Sequence, residues 1–81
     1  MSREANACFT SIGLKFARAD AKKLKVKVPK LTTWCDRGGT NPYYEVWGDD
    51  GIIWSGSAYN ANEAKANAIH KLIRMAGHDD Y

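Results

Sequence analysis

Two short runs rich in aromatic and β-branched residues, Tyr43-Tyr44-Glu45-Val46-Trp47 and Ile52-Ile53-Trp54-Ser55, flank Gly48-Asp49-Asp50-Gly51. Such runs favour extended backbone, and Asp50-Gly51 is a ready turn, so the chain predicts an antiparallel hairpin here. With the turn centred on Asp49-Asp50 or on Asp50-Gly51, the pairing keeps the same parity. Tyr43, Trp47, Ile52 and Trp54 then share one face, and Tyr44, Val46 and Ile53 take the other. Both faces carry apolar groups, so at least one needs a cover from elsewhere in the chain.

The expected cover is a helix over residues 61–76. Asn60 stands at its N-cap with Glu63 three residues on, a capping-box spacing that satisfies orphan amides, and Gly77 supplies the stop. On a 3.6-residue wheel Ala61, Ala64, Ala68, Ile69, Leu72, Ile73 and Ala76 form an apolar stripe, opposite Glu63, Asn67, His70, Lys71 and Arg74. Lys65 falls inside that stripe and must snorkel or project past the sheet edge.

Two periods compete in the N-terminal third. Ala5, Cys8, Phe9, Ile12, Phe16 and Ala19 follow helical spacing, whereas Gly13 weakens a helix and residues 10–16 can alternate as a strand. The spacing favours a helix over 4–21. Leu24, Val26 and Val28 then alternate with Lys25 and Lys27, as in a short exposed strand or an extended linker, and Pro29 limits it to an edge or a connection. Residues 31–35 read as a better strand, ended by Asp36-Arg37-Gly38-Gly39. The expectation is an α+β fold: one small domain over 1–81, with short tails at 1–3 and 78–81, ordered α-β-β-β-α. Its three-stranded antiparallel sheet packs on two helices.

Eighty-one residues can build only a modest core, and 44% hydrophobic content argues for a folded chain. The aromatic side chains Trp34, Tyr43, Trp47 and Trp54 are therefore expected to be mostly buried. Were one sheet face open, stacked rings beside basic residues would suit single-stranded nucleic acid. No apolar run approaches the ~20 residues that cross a bilayer, and the first residues lack the pattern of a secretory signal, so a cytoplasmic chain with two reduced thiols, Cys8 and Cys35, is expected.

The net charge of +3 is unevenly spread. Lys15, Arg18, Lys22, Lys23, Lys25, Lys27 and Lys30 face the single Asp20 within residues 15–30, which leaves the remainder acidic. A segment this basic attracts polyanions or an acidic protein surface, or serves as a solvated face. Catalytic candidates are weak. His70 and His78 are not obviously paired with a cysteine or carboxylate, and Asp49-Asp50 is ordinary turn composition. Cys8, Cys35, His70 and His78 lack the close paired spacing of a zinc site, and Gly38-Gly39 is too short to cradle phosphate. No enzyme activity, metal or cofactor is expected.

The element order and the C-terminal block resemble the double-stranded RNA-binding domain family over about residues 31–76. That family joins its first two strands by a Gly-Pro-x-His loop, has a Gly-rich exit from the hairpin, and opens its second helix with Lys-Lys-x-Ala-Lys. The corresponding segments here are Gly38-Gly39-Thr40-Asn41, Ser55-Gly56-Ser57 and Ala61-Asn62-Glu63-Ala64-Lys65. Lys65 lands on the last lysine of the motif, while Ala61, Asn62 and Asn41 replace two lysines and the loop histidine.

The resemblance implies shape recognition of an A-form duplex, with phosphates reached from the second helix. Expected nucleic-acid contacts are Lys65, then Lys22, Lys23, Lys25, Lys27 and Lys30 as substitutes for the missing lysines, with Arg37 and Asn41 at the first loop. Duplex RNA is the favoured partner. The alternative is an adaptor or inhibitor, of a phage or mobile-element accessory type, that keeps the scaffold and docks on an acidic or nucleic-acid-binding protein.

Overall fold

The computed structural model describes residues 3–36 and 42–78, with residues 3–12 as backbone alone. The chain runs α1 (Arg3–Lys23), β1 (Thr32–Asp36), β2 (Tyr43–Gly48), β3 (Gly51–Ser57) and α2 (Ala61–Met75). This is the expected helix, three strands and helix. Helical spacing prevails in the N-terminal third, and α1 runs through Gly13, where an added Cβ would meet nothing within 4 Å. Arg3 belongs to α1 and His78 to the cap of α2, while tail residues 1–2 and 79–81 lie outside the described residues.

The strands form one antiparallel sheet in the order β1-β2-β3. One face is covered by α2, which lies against all three strands, and α1 packs alongside α2. Two clusters make the core. Ala17 and Ala21 of α1 meet Ala66, Ile69 and Ile73 of α2, while Tyr44 and Val46 of β2 meet Ala64 and Ala68 of α2 together with Ala58. Leu31 packs against both. Ala66 was missing from the expected stripe because α2 buries two sides, one on the sheet and one on α1. Among the described side chains of α1, from residue 13 on, the buried positions are Ala17 and Ala21, with Leu14 packed beside them, whereas Phe16 and Ala19 are exposed. Small alanines at the crossing let the two helix backbones approach closely.

The hairpin departs from the expected parity at one point. Gly48 pairs with Gly51 and Trp47 with Ile52, so the turn is the two residues Asp49-Asp50, but Val46 then pairs with Trp54. Ile53 is the extra residue of a β-bulge, two residues opposing one. Beyond it Trp54 joins Val46 and Tyr44 on the helix-facing side, and both Ile53 and Trp54 pack against the second cluster. The grouping of Trp54 with Tyr43, Trp47 and Ile52 is corrected accordingly. Gly56, opposite Tyr44, makes room for that indole, since a Cβ there would stand 2.9 Å from Trp54 Cζ2.

Both helices close with the same backbone device. At the end of α2 the His78 amide donates to the Ile73 carbonyl (3.3 Å) and the Gly77 amide to Arg74 (3.0 Å), with Gly77 at φ 106°. At the end of α1 the Val26 amide donates to Ala21 (2.8 Å) and the Lys25 amide to Lys22 (3.1 Å). Each is a Schellman motif, which needs a left-handed residue after the cap. In α1 that residue is Lys25, at φ 60°. At the start of α2, Asn60 Oδ1 accepts from the Glu63 amide (2.9 Å), while Glu63 Oε1 accepts from the Tyr59 amide (3.2 Å) rather than from that of Asn60. The cap thus reaches one residue further back than a capping box.

After the turn at Leu24 and Lys25, residues 26–31 form a linker and not a strand. Leu24, Val26 and Val28 turn inward onto the α1–α2 cluster, and Lys25, Lys27 and Lys30 are exposed. Among the described residues no helix is long and apolar enough to cross a membrane.

Candidate nucleic-acid interface

The basic residues expected to bind fall into separate groups. Lys22 and Lys23 occupy the exposed last turn of α1, and Lys25, Lys27 and Lys30 follow on the outer side of the linker. Their directions are fixed by their neighbours. The Schellman turn redirects the chain at Lys25, and each inward Leu or Val of the linker points the adjacent lysine into solvent. Lys22 shares a groove of about 250 Å³ with Arg18 and Val26, whose charged lining is wholly cationic. Lys27 instead lines a cleft of about 490 Å³ with Lys71, Asp49 and Asp50, where two cations face two carboxylates. Lys71 was not singled out from sequence, since on the wheel it is one polar residue among many.

Lys65 is half-buried in the second turn of α2. Lys71, beside Lys27, lies six residues further on, about 9 Å along the axis and on another side of the helix. Lys65 therefore stands apart from the linker lysines. The first turn of α2 carries Glu63 and no cation. Arg37 and Asn41 lie outside the described residues.

His70, placed on the polar face of α2 from sequence, is half-buried and shares a cleft with Gly13, Phe16, Ala17 and Asp20 of α1. Burial pushes its pKa below the ordinary 6.5, the Arg74 cation adds to that effect, and Asp20 opposes it. Cys35 is a free, half-buried thiol against the sheet-side cluster.

The sheet face away from the helices holds the features that sequence reasoning placed least well. Trp34, Tyr43, Trp47 and Ile52 are 52%, 41%, 40% and 49% exposed, contrary to the expectation of mostly buried rings. The covering helix α2 lies on the other side, which leaves these groups exposed. Trp34 pairs with Glu45, which pairs in turn with Ser55, so Glu45 stands at the middle of the face. Trp47 Nε1 donates to Glu45 Oε1 at 3.2 Å. The alternation of Tyr43, Glu45 and Trp47 along one strand was the available signal.

Comparison with known protein families, curated proteins and solved structures finds no match to this chain.

Proposed function

We propose that the protein is a small, non-enzymatic nucleic-acid-binding module that engages the phosphate backbone through Lys22, Lys23, Lys25, Lys27 and Lys30. The observation that carries this reading is the two-sidedness of the linker. Leu24, Val26 and Val28 are packed inward, so the lysines between and beside them are presented outward from an anchored backbone. Cations on an anchored frame lose less freedom on meeting phosphates than the same charges on a loose tail. Arg18 extends the cationic side from α1.

Duplex RNA is the favoured ligand, in keeping with the resemblance to duplex-RNA-binding domains, but the weight of binding shifts from the start of α2 to the end of α1. Lys65 contributes less than in that family's usual mode, being half-buried and lacking two companion lysines. Recognition of this kind reads backbone and shape, with little base specificity and steep salt dependence.

A salt series with duplex RNA, duplex DNA and single strands tests the reading. A Lys25→Ala/Lys27→Ala double variant should flatten the salt slope by about two units, and Lys65→Ala by less than about one. Affinity no better than ~10⁻⁴ M at physiological salt for every nucleic acid would reduce the binding to non-specific charge and end the proposal.

A further inference from the structure

The open face of the sheet sets aromatic, apolar and acidic residues in a defined register. Pairing sets it out as three rows across the strands: Thr32, Trp47 and Ile52; Trp34, Glu45 and Ser55; Asp36, Tyr43 and Ser57. With strands about 4.8 Å apart and alternate residues about 6.8 Å apart, the Trp34, Tyr43 and Trp47 rings all spring from positions next to Glu45. The strands contain two carboxylates, Asp36 and Glu45, and no lysine or arginine, while the turn carboxylates Asp49 and Asp50 belong to the cleft shared with Lys27 and Lys71. Among the described residues no cation pairs with Glu45, which accepts from the Trp47 indole.

The charge decides between occupants. Nucleic acid would bring phosphates against Glu45, so stacking on these rings would be opposed electrostatically. A second copy docked face to face about a two-fold axis would bring the central Glu45 of each copy together, which is also repulsive. A cation flanked by apolar groups meets neither objection. A guanidinium can lie on an indole face while it pairs with a carboxylate, and its flanking side chains would cover Tyr43 and Ile52.

We propose that this face docks a protein segment in which an arginine stands between apolar side chains, the guanidinium seated on Trp34 or Trp47 and paired with Glu45. Of the face residues named, Ile52 borders the cleft that Lys27 lines, but the guanidinium seat at Trp34, Glu45 and Trp47 contains no linker lysine and does not depend on nucleic-acid binding there.

The test uses the whole ¹⁵N-labelled chain and three acetylated peptides of alternating residues, Leu/Arg, Leu/citrulline and Leu/Glu, with oligouridine as a further arm. The Leu/Arg peptide should shift the Trp34 and Trp47 indole N–H resonances and leave that of Trp54 in place. Glu45→Gln should weaken it about ten-fold, as loss of a charge-assisted contact does. Trp34→Thr should weaken it as well, and the Lys25→Ala/Lys27→Ala double variant should leave it unchanged. An unmoved Trp54 resonance in both single variants reports that the fold is intact. Equal binding of the citrulline or Glu peptide, or no response to Glu45→Gln, would overturn the proposal. So would oligouridine shifting the same indoles, which would mark a stacking platform, or concentration-dependent shifts without peptide, which would mark self-association.

Discussion

Val46 of β2 pairs with Trp54 of β3, although its neighbour Trp47 pairs with Ile52, two residues before Trp54. The single residue gained at Ile53 puts Trp54 on the opposite side of the sheet from Ile52. Trp54 packs with the core, and Trp34 and Trp47 do not. Trp54→Phe should therefore cost about 1 kcal/mol, and Trp54→Ala about 3 kcal/mol, near the limit that so small a core can bear. Trp47→Thr should stay within about 0.5 kcal/mol. Urea unfolding of the three variants measures this, and a Trp47 cost equal to that of Trp54→Phe would contradict the assignment of faces.

Gly56 is constrained by the same indole. A methyl at this position would meet Trp54 Cζ2 at 2.9 Å and Cη2 at 3.2 Å, atoms of a rigid ring held against the core. Gly56→Ala should destabilise by about 1–3 kcal/mol. In the Trp54→Phe background the smaller ring should remove much of that cost, and a double-mutant cycle would read the coupling.

Lys25 adopts a left-handed backbone, φ 60°, that glycine reaches without strain. Lys25→Gly should raise stability by about 0.5–1 kcal/mol in urea unfolding and lower the salt slope for nucleic acid by about one unit. Opposite signs for folding and binding would show a residue kept for its charge at the expense of its turn.

Gly13 is the converse case, a helical glycine with open space where a Cβ would go. Gly13→Ala should stabilise the protein by about 0.5–1 kcal/mol, read as a higher unfolding midpoint. A loss of stability would mean that the α1–α2 crossing requires the missing side chain.

His70 has a pKa lowered from 6.5 by burial first and by Arg74 second, with Asp20 opposing. The unfolded chain therefore takes up a proton more readily than the folded one, so stability is fully present above 6.5 and falls as the pH drops from there towards the lowered value. Urea midpoints measured between about pH 7.5 and 5.5 should fall for the parent protein and fall less for His70→Gln. Asp20→Asn should steepen the decline, because the opposing charge is gone.

Local signals foretold most of the fold. Asn60, Glu63 and Gly77 marked α2, and the aromatic runs around Asp49-Asp50 marked the hairpin, because caps and turns depend on residues close in sequence. What escaped depended on partners distant in the chain. No residue near Ile53 advertises a bulge, and its placement follows from fitting both Ile53 and Trp54 against α2. The left-handed position at Lys25 carries no glycine to reveal it. The burial of Ala66 needs α1 as a second neighbour, and the centrality of Glu45 needs the register of three strands. For the candidate site, the lysines could be named from sequence, but their separation from Lys65 came only with the packing of the linker.

The separation of charge between the two layers has a consequence for motion before contact. The linker and the end of α1 are rich in lysine, whereas the strands carry only Asp36 and Glu45 among the described residues, and the turn carboxylates Asp49 and Asp50 share a cleft with Lys27 and Lys71. A molecule built this way is an electric dipole as well as a net cation. Approaching a polyanion, it experiences a torque that turns the lysine side forward within about a Debye length, ~8 Å at physiological salt. It would arrive already oriented, with Lys22, Lys23 and Lys25 leading.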